Sequence, residues 1–251
     1  MERITSLKNP KVQGWKALKE RKGRRESGCF LVEGFKMVEE ALASSFTVEA
    51  VLAQEECLAA LPAHPDCPVY LLPAGVLAAV CDTKTPQGVA AVVRMAQRPA
   101  QGGRLIALDG VQDPGNVGTI LRTADAAGLD GAILSEQCAD VFGPKTLRAT
   151  MGSVFRVPVS VTDDLPGCLR ALRQEGYSVL SSQLDGEPFY RRDGVGERFC
   201  LVIGSEGNGV SDAVKAEATH RLKLPMRGGA ESLNAAVAAG IMMYDLMKHI
   251  E

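Results

Sequence analysis

The sequence is short of the residues that most often announce a chemistry. Its 251 residues include three histidines, His64, His220 and His249, with no metal-ligand spacing among them, so no resident metal is expected. Seven cysteines stand at 29, 57, 67, 81, 138, 168 and 200, and none forms a C-x-x-C pair. That argues against zinc ribbons and thioredoxin chemistry and fits reduced, buried thiols. No apolar stretch is long enough to cross a bilayer. The opening "MERITSLKNPK" lacks the apolar core of a signal peptide, so a cytoplasmic protein with no membrane role is the expectation. There is neither a strand–G-x-G-x-x-G–helix unit nor a Gly-Lys-Ser/Thr loop. A nicotinamide-type oxidoreductase and a P-loop nucleotide enzyme are excluded on that ground.

What is present is an ordinary globular composition, with 46% apolar and 23% charged residues, and a length that suits one large domain or two small ones. The net charge of −2 carries no message, but its distribution does. Residues 1–36 hold ten Lys/Arg against four Glu, a local net of +6, densest in "KERKGRRESG". Such a block is either a solvated face or a grip on phosphates, through Lys22, Arg24 and Arg25. Trp15, the single tryptophan, sits in an amphipathic helical stretch, where packing is favoured over stacking on a base.

"MAQRPAQGGR" (95–104) reads as a linker and divides the chain into domains at 1–98 and 104–251. The first mixes helical stretches ("NPKVQGWKALKER", "EGFKMVEEALAS") with short strands ("VEAVLAQ", "PVYLLP", "QGVAAVVRM"). In the second, strand and helix patterns alternate from "RLIALDG" to the long apolar "ESLNAAVAAGIMMYDLMKHI", which predicts an α/β fold with a parallel sheet covered on both faces. That last helix is apolar on more than one face; either it is fully buried, or one face packs on its own sheet and the other on a partner subunit.

Ligands of parallel α/β sheets bind at the carboxyl ends of strands, and three such ends are loaded here. "LDGVQDPGNVGTILRTADAAG" carries Asn116 and Arg122, which read equally as a helix N-cap and a solvated helix residue. "LVIGSEGNGVSD" sets Ser205 and Glu206 among Gly204, Gly207 and Gly209, a loop that needs unusual backbone angles or close backbone approach to something. "LKLPMRGGAESLNAAVAAG" leads through Pro225 and Met226 to Ser232, Leu233 and Asn234 at a helix start, where Ser232 could be merely the N-cap and Asn234 could satisfy loop carbonyls.

These three motifs, in this order, resemble the SpoU/TrmH family of the SPOUT superfamily, the S-adenosylmethionine-dependent RNA 2′-O-ribose methyltransferases. The stretch from "ITSLKNPKVQGW" to "EGFKMVEEAL" resembles the RNA-binding domain that precedes many members. The resemblance implies a deep trefoil knot in the second domain, against the general rule that chains are unknotted. It implies a homodimer with the active site at the interface, and cofactor binding through Gly204, Ser205, Gly209, Leu224, Pro225, Met226 and Leu233. It places Arg122 at the reacting hydroxyl, Asn116 in support of the catalytic loop or the RNA backbone, and Ser232 and Asn234 on the target phosphate, the ribose or the loop. It leaves Glu206 to position Arg122 or the loop. Ribosomal RNA, of the large subunit first, is the implied substrate and transfer RNA the alternative; a silent RNA-binding module would show eroded motifs, and these are intact.

Overall fold

The computed structural model describes residues 1–61 and 66–248. The first part runs β1 (Glu2–Arg3), α1 (Pro10–Ala17), α2 (Arg21–Ser27), β2 (Cys29–Glu33), α3 (Phe35–Ala43), β3 (Val48–Ala53), β4 (Val69–Leu71), α4 (Ala74–Val80) and β5 (Val89–Arg94). The second continues with β6 (Arg104–Asp109), α5 (Pro114–Ala127), β7 (Gly131–Ser135), α6 (Pro144–Thr150), β8 (Val159–Thr162), α7 (Leu165–Gln174) and β9 (Ser178–Pro188). It closes with β10 (Phe199–Gly204), α8 (Asp212–Glu217), β11 (His220–Lys223) and α9 (Ala235–Met247). Two compact units emerge: residues 1–96 with 140–156, and residues 97–139 with 157–251.

The first unit is built on a mixed sheet in the order β1-β4-β3-β5-β2, antiparallel only where β5 meets β2 and β3. Trp15 is in its core, with its ring 5.1 Å from that of Tyr70. The segment 140–156, which sequence patterning keeps with the second domain, supplies part of this unit's interior. Phe142 and Phe155 join Phe30 and Phe46 in one aromatic cluster, with ring centroids 4.7–6.3 Å apart. Large rings of this kind dominate core energetics. A 3₁₀ turn at Ser153–Phe155 ends this segment, and the strand β8 begins only at Val159.

Asp140 fastens the segment's start. Arg24, predicted to grip RNA, is only 4% exposed. Its guanidinium donates to Asp140 Oδ2 at 2.6 and 3.1 Å and to the carbonyls of Leu18 and Lys19 at 2.7 and 2.8 Å. Every donor-bearing nitrogen is thus engaged inside the unit, so Arg24 holds the fold and is not available to phosphate. Lys22 and Arg25, on the same helix, are exposed.

The second unit carries a fully parallel six-stranded sheet, β11-β9-β10-β6-β7-β8, in which the adjacent strands β10, β6 and β7 are almost wholly buried. Helices α7 and α8 pack on each other, as do α5 and α9. Strand β9 does not run evenly along β11. Ser181 pairs with Arg221 and Glu187 with the next residue, Leu222, so the five residues Ser182–Gly186 bulge out of the register.

Candidate active site

The carboxyl ends of β9 and β10, the hairpin after β10 and the loop before α9 enclose a cavity of about 670 Å³. Six of the seven predicted cofactor residues line it, namely Gly204, Ser205, Gly209, Leu224, Met226 and Leu233, whereas Pro225 does not. Of the predicted catalytic residues, Glu206, Ser232 and Asn234 line it; Asn116 stands behind Glu206, and Arg122 is elsewhere.

The glycines of "GSEGNG" have a local explanation. Ser205 and Gly209 form an antiparallel bridge with both hydrogen bonds at 2.9 Å, turning the chain back within five residues. A Cβ on Gly204 would lie 2.1–2.3 Å from the backbone of Gly209 and Val210, so only glycine fits beneath the returning strand. Gly209 itself has φ +66°. The close approach that the sequence signals is chain on chain.

That hairpin presents Glu206 to α5. Asp113, not Asn116, is the N-cap of α5: its side chain accepts from the Asn116 N–H at 2.8 Å, and Pro114 occupies the first turn. Asn116 is thereby free to use its side chain elsewhere. Its Nδ2 donates to Glu206 Oε1 at 2.7 Å, and its Oδ1 accepts from Asn234 Nδ2 at 2.9 Å. Asn234 Oδ1 in turn accepts from the Ala236 and Val237 N–H groups at 2.9 and 3.2 Å, so Asn234, not Ser232, is the N-cap of α9. The long helix accordingly begins at Ala235, and "ESLN" is loop.

One residue from each of the three motifs thus joins a single directed chain. Its ends fix its sense: a helix N–H can only donate and a carboxylate can only accept, so both amides between them are held in one orientation. Glu206 also accepts from the Gln112 and Asp113 N–H groups at 3.3 and 3.4 Å. Burial pushes the Glu206 carboxyl up, but the bonds from Asn116 and from the backbone N–H groups of Glu206, Gln112 and Asp113 outweigh it and leave the pKa lowered. The carboxylate is the stable form at neutral pH.

Arg122 is exposed, with no hydrogen bond or ion pair to the described residues. Six helical steps turn it far around α5 from the buried Asn116, and it does not line the cavity of its own chain. No group of three or more metal-ligating side chains occurs among the described residues; His64 and His249 lie outside them. No helix is long and apolar enough to cross a membrane among the described residues.

This architecture defines a class. Residues 103–244 match the SpoU rRNA Methylase family and residues 9–91 an MRM3-like substrate binding domain; the chain belongs to the SpoU rRNA methylase family. Among its relatives is the 23S rRNA (guanosine(2553)-2′-O)-methyltransferase RlmP of Bacillus subtilis (strain 168), 41% identical over 98% of this chain and 99% of that protein. The fold matches that of an AdoMet-bound rRNA methyltransferase from Sinorhizobium meliloti with a TM-score of 0.88 and 35% identity, covering 100% of this chain and 98% of that one. It also matches the SpoU methyltransferase AviRb from Streptomyces viridochromogenes, in complex with AdoMet, with a TM-score of 0.83 and 26% identity over 96% and 98% of the two chains.

Proposed function

We propose that the protein transfers the methyl group of S-adenosylmethionine to a ribose 2′-hydroxyl of ribosomal RNA, with the large subunit as target. The observation that carries this reading is the convergence of the three motifs on one cavity, tied by the Glu206–Asn116–Asn234 chain. The cavity suits the cofactor: it is large enough, and it has apolar walls at Ile203, Leu224 and Met226.

Bound S-adenosylmethionine supplies an electrophilic methyl group. The chain must then hold the ribose hydroxyl in line and stabilise the charge that develops on its oxygen. Arg122 is suited to the second task and not to removing the proton, because a guanidinium stays protonated and has no acceptor. Ser232, on the cavity wall, offers a hydroxyl to the ribose or its phosphate. Glu206 acts through Asn116, fixing the start of α5, the helix that carries Arg122.

Since Arg122 lies outside its own cavity, the site is completed by a second copy of the chain. The surface for it is the outer row of α9, where Val237, Ile241 and Tyr244 are 50, 39 and 55% exposed at helical spacing. Gly240, on this helix, faces Thr123, the neighbour of Arg122. A charge at Ile241 is expected to give a monomer by analytical ultracentrifugation and an inactive enzyme. We place the trefoil knot of the family's fold in the second unit, around β10 and the loop before α9. Lys22 and Arg25 grip the RNA through phosphates, in the cytoplasm where ribosomes are made.

The deciding experiment is a map of 2′-O-methyl sites in RNA from cells with and without the protein. One lost site in large-subunit RNA is expected; a lost site in transfer RNA alone would move the reading to the runner-up substrate, and no lost site would overturn it.

A further inference from the structure

Helix α6 of the first unit ends in a strained turn. Met151, its C-cap, has φ 50° and ψ 37°, and Gly152 follows with φ 95°. Among the described residues Met151 is the only one other than glycine with a positive φ. A left-handed backbone is unfavourable for a long L side chain, whereas glycine adopts it freely and asparagine with little strain. Burial does not offset the strain here. Met151 is 48% exposed, while Thr150 before it and Gly152–Phe155 after it are buried. A strained backbone that holds a large apolar side chain in solvent points to a contact made outside the chain.

The surroundings of Met151 indicate the kind of contact. Lys145, Arg148 and Met151 follow at steps of three and are all exposed, whereas Thr146, Leu147 and Thr150 are buried, so the three share the outer face of α6. Arg148 Nη1 donates to Asp82 Oδ2 at 2.8 Å, which ties this face to the turn that carries the exposed Lys84. On the other flank, Glu40 of α3 lies against Gly152 and pairs with Arg156 and, at 3.4 Å, with Lys36. Asp82 and Glu40 thus serve Arg148, Arg156 and Lys36, and Lys84 and Lys145 have no ion pair among the described residues. An apolar side chain with unpaired cations beside it matches a base with its flanking phosphates. Because the chain belongs to an rRNA methylase family, the polyanion it meets is RNA.

We propose that this face of the first unit holds an unpaired nucleotide of the RNA, with the Met151 side chain packed on the base and Lys145 and Lys84 on the neighbouring phosphates. The inference rests on the RNA reading above and deepens it. It adds to Lys22 and Arg25 a second RNA contact of the first unit, on a helix that the sequence pattern keeps with the second domain.

Filter binding of the full chain to two RNAs tests it: a short single strand without self-pairing, and the duplex that strand forms with its complement. Met151→Gly removes the side chain and the strain together. It should raise the midpoint of chemical denaturation, weaken binding of the single strand about fivefold and leave binding of the duplex unchanged. Met151→Leu keeps an apolar side chain and should hold single-strand binding within about twofold of wild type. Lys84→Gln with Lys145→Gln should weaken both RNAs and lower the slope of log affinity against log salt by roughly one to two, a slope that Met151→Gly leaves alone. Binding of S-adenosylhomocysteine should stay at the wild-type value in every variant.

Full single-strand binding by Met151→Gly would overturn the proposal, and so would an equal loss on the duplex. A lower denaturation midpoint in that variant would show that the side chain serves the fold, and a shift to monomers by analytical ultracentrifugation would give the face to an interface between copies; either outcome overturns it. Absence of binding of both RNAs to the wild-type chain would overturn the RNA reading, and this inference with it. A lost 2′-O-methyl site in cells, together with unaltered RNA binding by Met151→Gly, would overturn this inference alone.

Discussion

Each unit holds a charged side chain from a stretch that the sequence marks as functional, and the two are used in opposite ways. In the first unit, Arg24 is enclosed, with Asp140 and two carbonyls taking all three nitrogens. In the second, Glu206 is exposed at the mouth of a cavity and stands at the end of a chain that runs through Asn116 and Asn234 to a helix terminus. Both are well hydrogen-bonded. What separates them is remaining capacity: Arg24 is buried with four of its five N–H groups engaged, while the elements that Glu206 joins border open space. A charge in a promising motif is therefore judged by what its neighbours leave unused.

The largest effects should come from breaking each arrangement at its charge. Asp140→Ala strands a buried guanidinium and should cost the first unit about 3 kcal/mol or more, read from chemical denaturation. In the second unit the matching loss is catalytic. Arg122→Ala should lower methyl transfer by about 10²–10³-fold or more while S-adenosylmethionine binding stays near wild type; retained turnover on an RNA substrate would remove Arg122 from its role.

Next in size is the amide chain. Asn234→Asp keeps the cap on α9 but cannot donate to Asn116, and Asn116→Asp sets a second carboxylate against Glu206. Each should cost about 1–3 kcal/mol in stability or in transition-state binding. The Asn116 variant should also raise the pKa of Glu206, which NMR titration would detect.

Smaller still is the outcome for the exposed cations on α2. Neutralising Lys22 and Arg25 together should leave stability unchanged and reduce the slope of log affinity against log salt by roughly one to two, as for one or two lost phosphate contacts. Arg24→Gln should do the reverse, lowering stability without that signature.

The smallest effect is on pH dependence. Because its folded-state pKa is depressed, Glu206 contributes stability that is fully present above the ordinary carboxylate range and is lost as pH falls through the depressed value. Glu206→Gln should flatten the acid limb of a stability–pH series by lowering its neutral plateau towards the acid value.

The strands and helices of the second unit could be read from local pattern because period-2 and period-3.6 alternation is a property of neighbours in sequence. What could not be read depended on distant partners. For each motif the sequence leaves a plain helix cap as the alternative to a site role, at Asn116 and at Ser232, and in the structure the caps are Asp113 and Asn234. Several side chains there can bond a helix terminus, and the choice falls to whichever is not needed across the fold. The glycines of "GSEGNG" were correctly read as a demand for close approach, but the approaching group at Gly204 is the chain's own return strand. The bulge at Ser182–Gly186 left one trace, a glycine inside a strand pattern. Arg24 could not be told from Lys22 and Arg25 because its partner is 116 residues away.

That distance has a consequence for how the protein is made. The first unit's aromatic cluster includes Phe142 and Phe155, and its buried arginine waits for Asp140. Domains ordinarily fold in turn as they leave the ribosome. Here the amino-terminal unit cannot close its interior until residue 156 has been synthesised, by which time β6, α5 and β7 of the second unit have been synthesised too. A nascent chain halted at residue 98 would hold an open hydrophobic face, whereas one halted after Arg156 and given room to clear the exit tunnel would have every piece of its first domain.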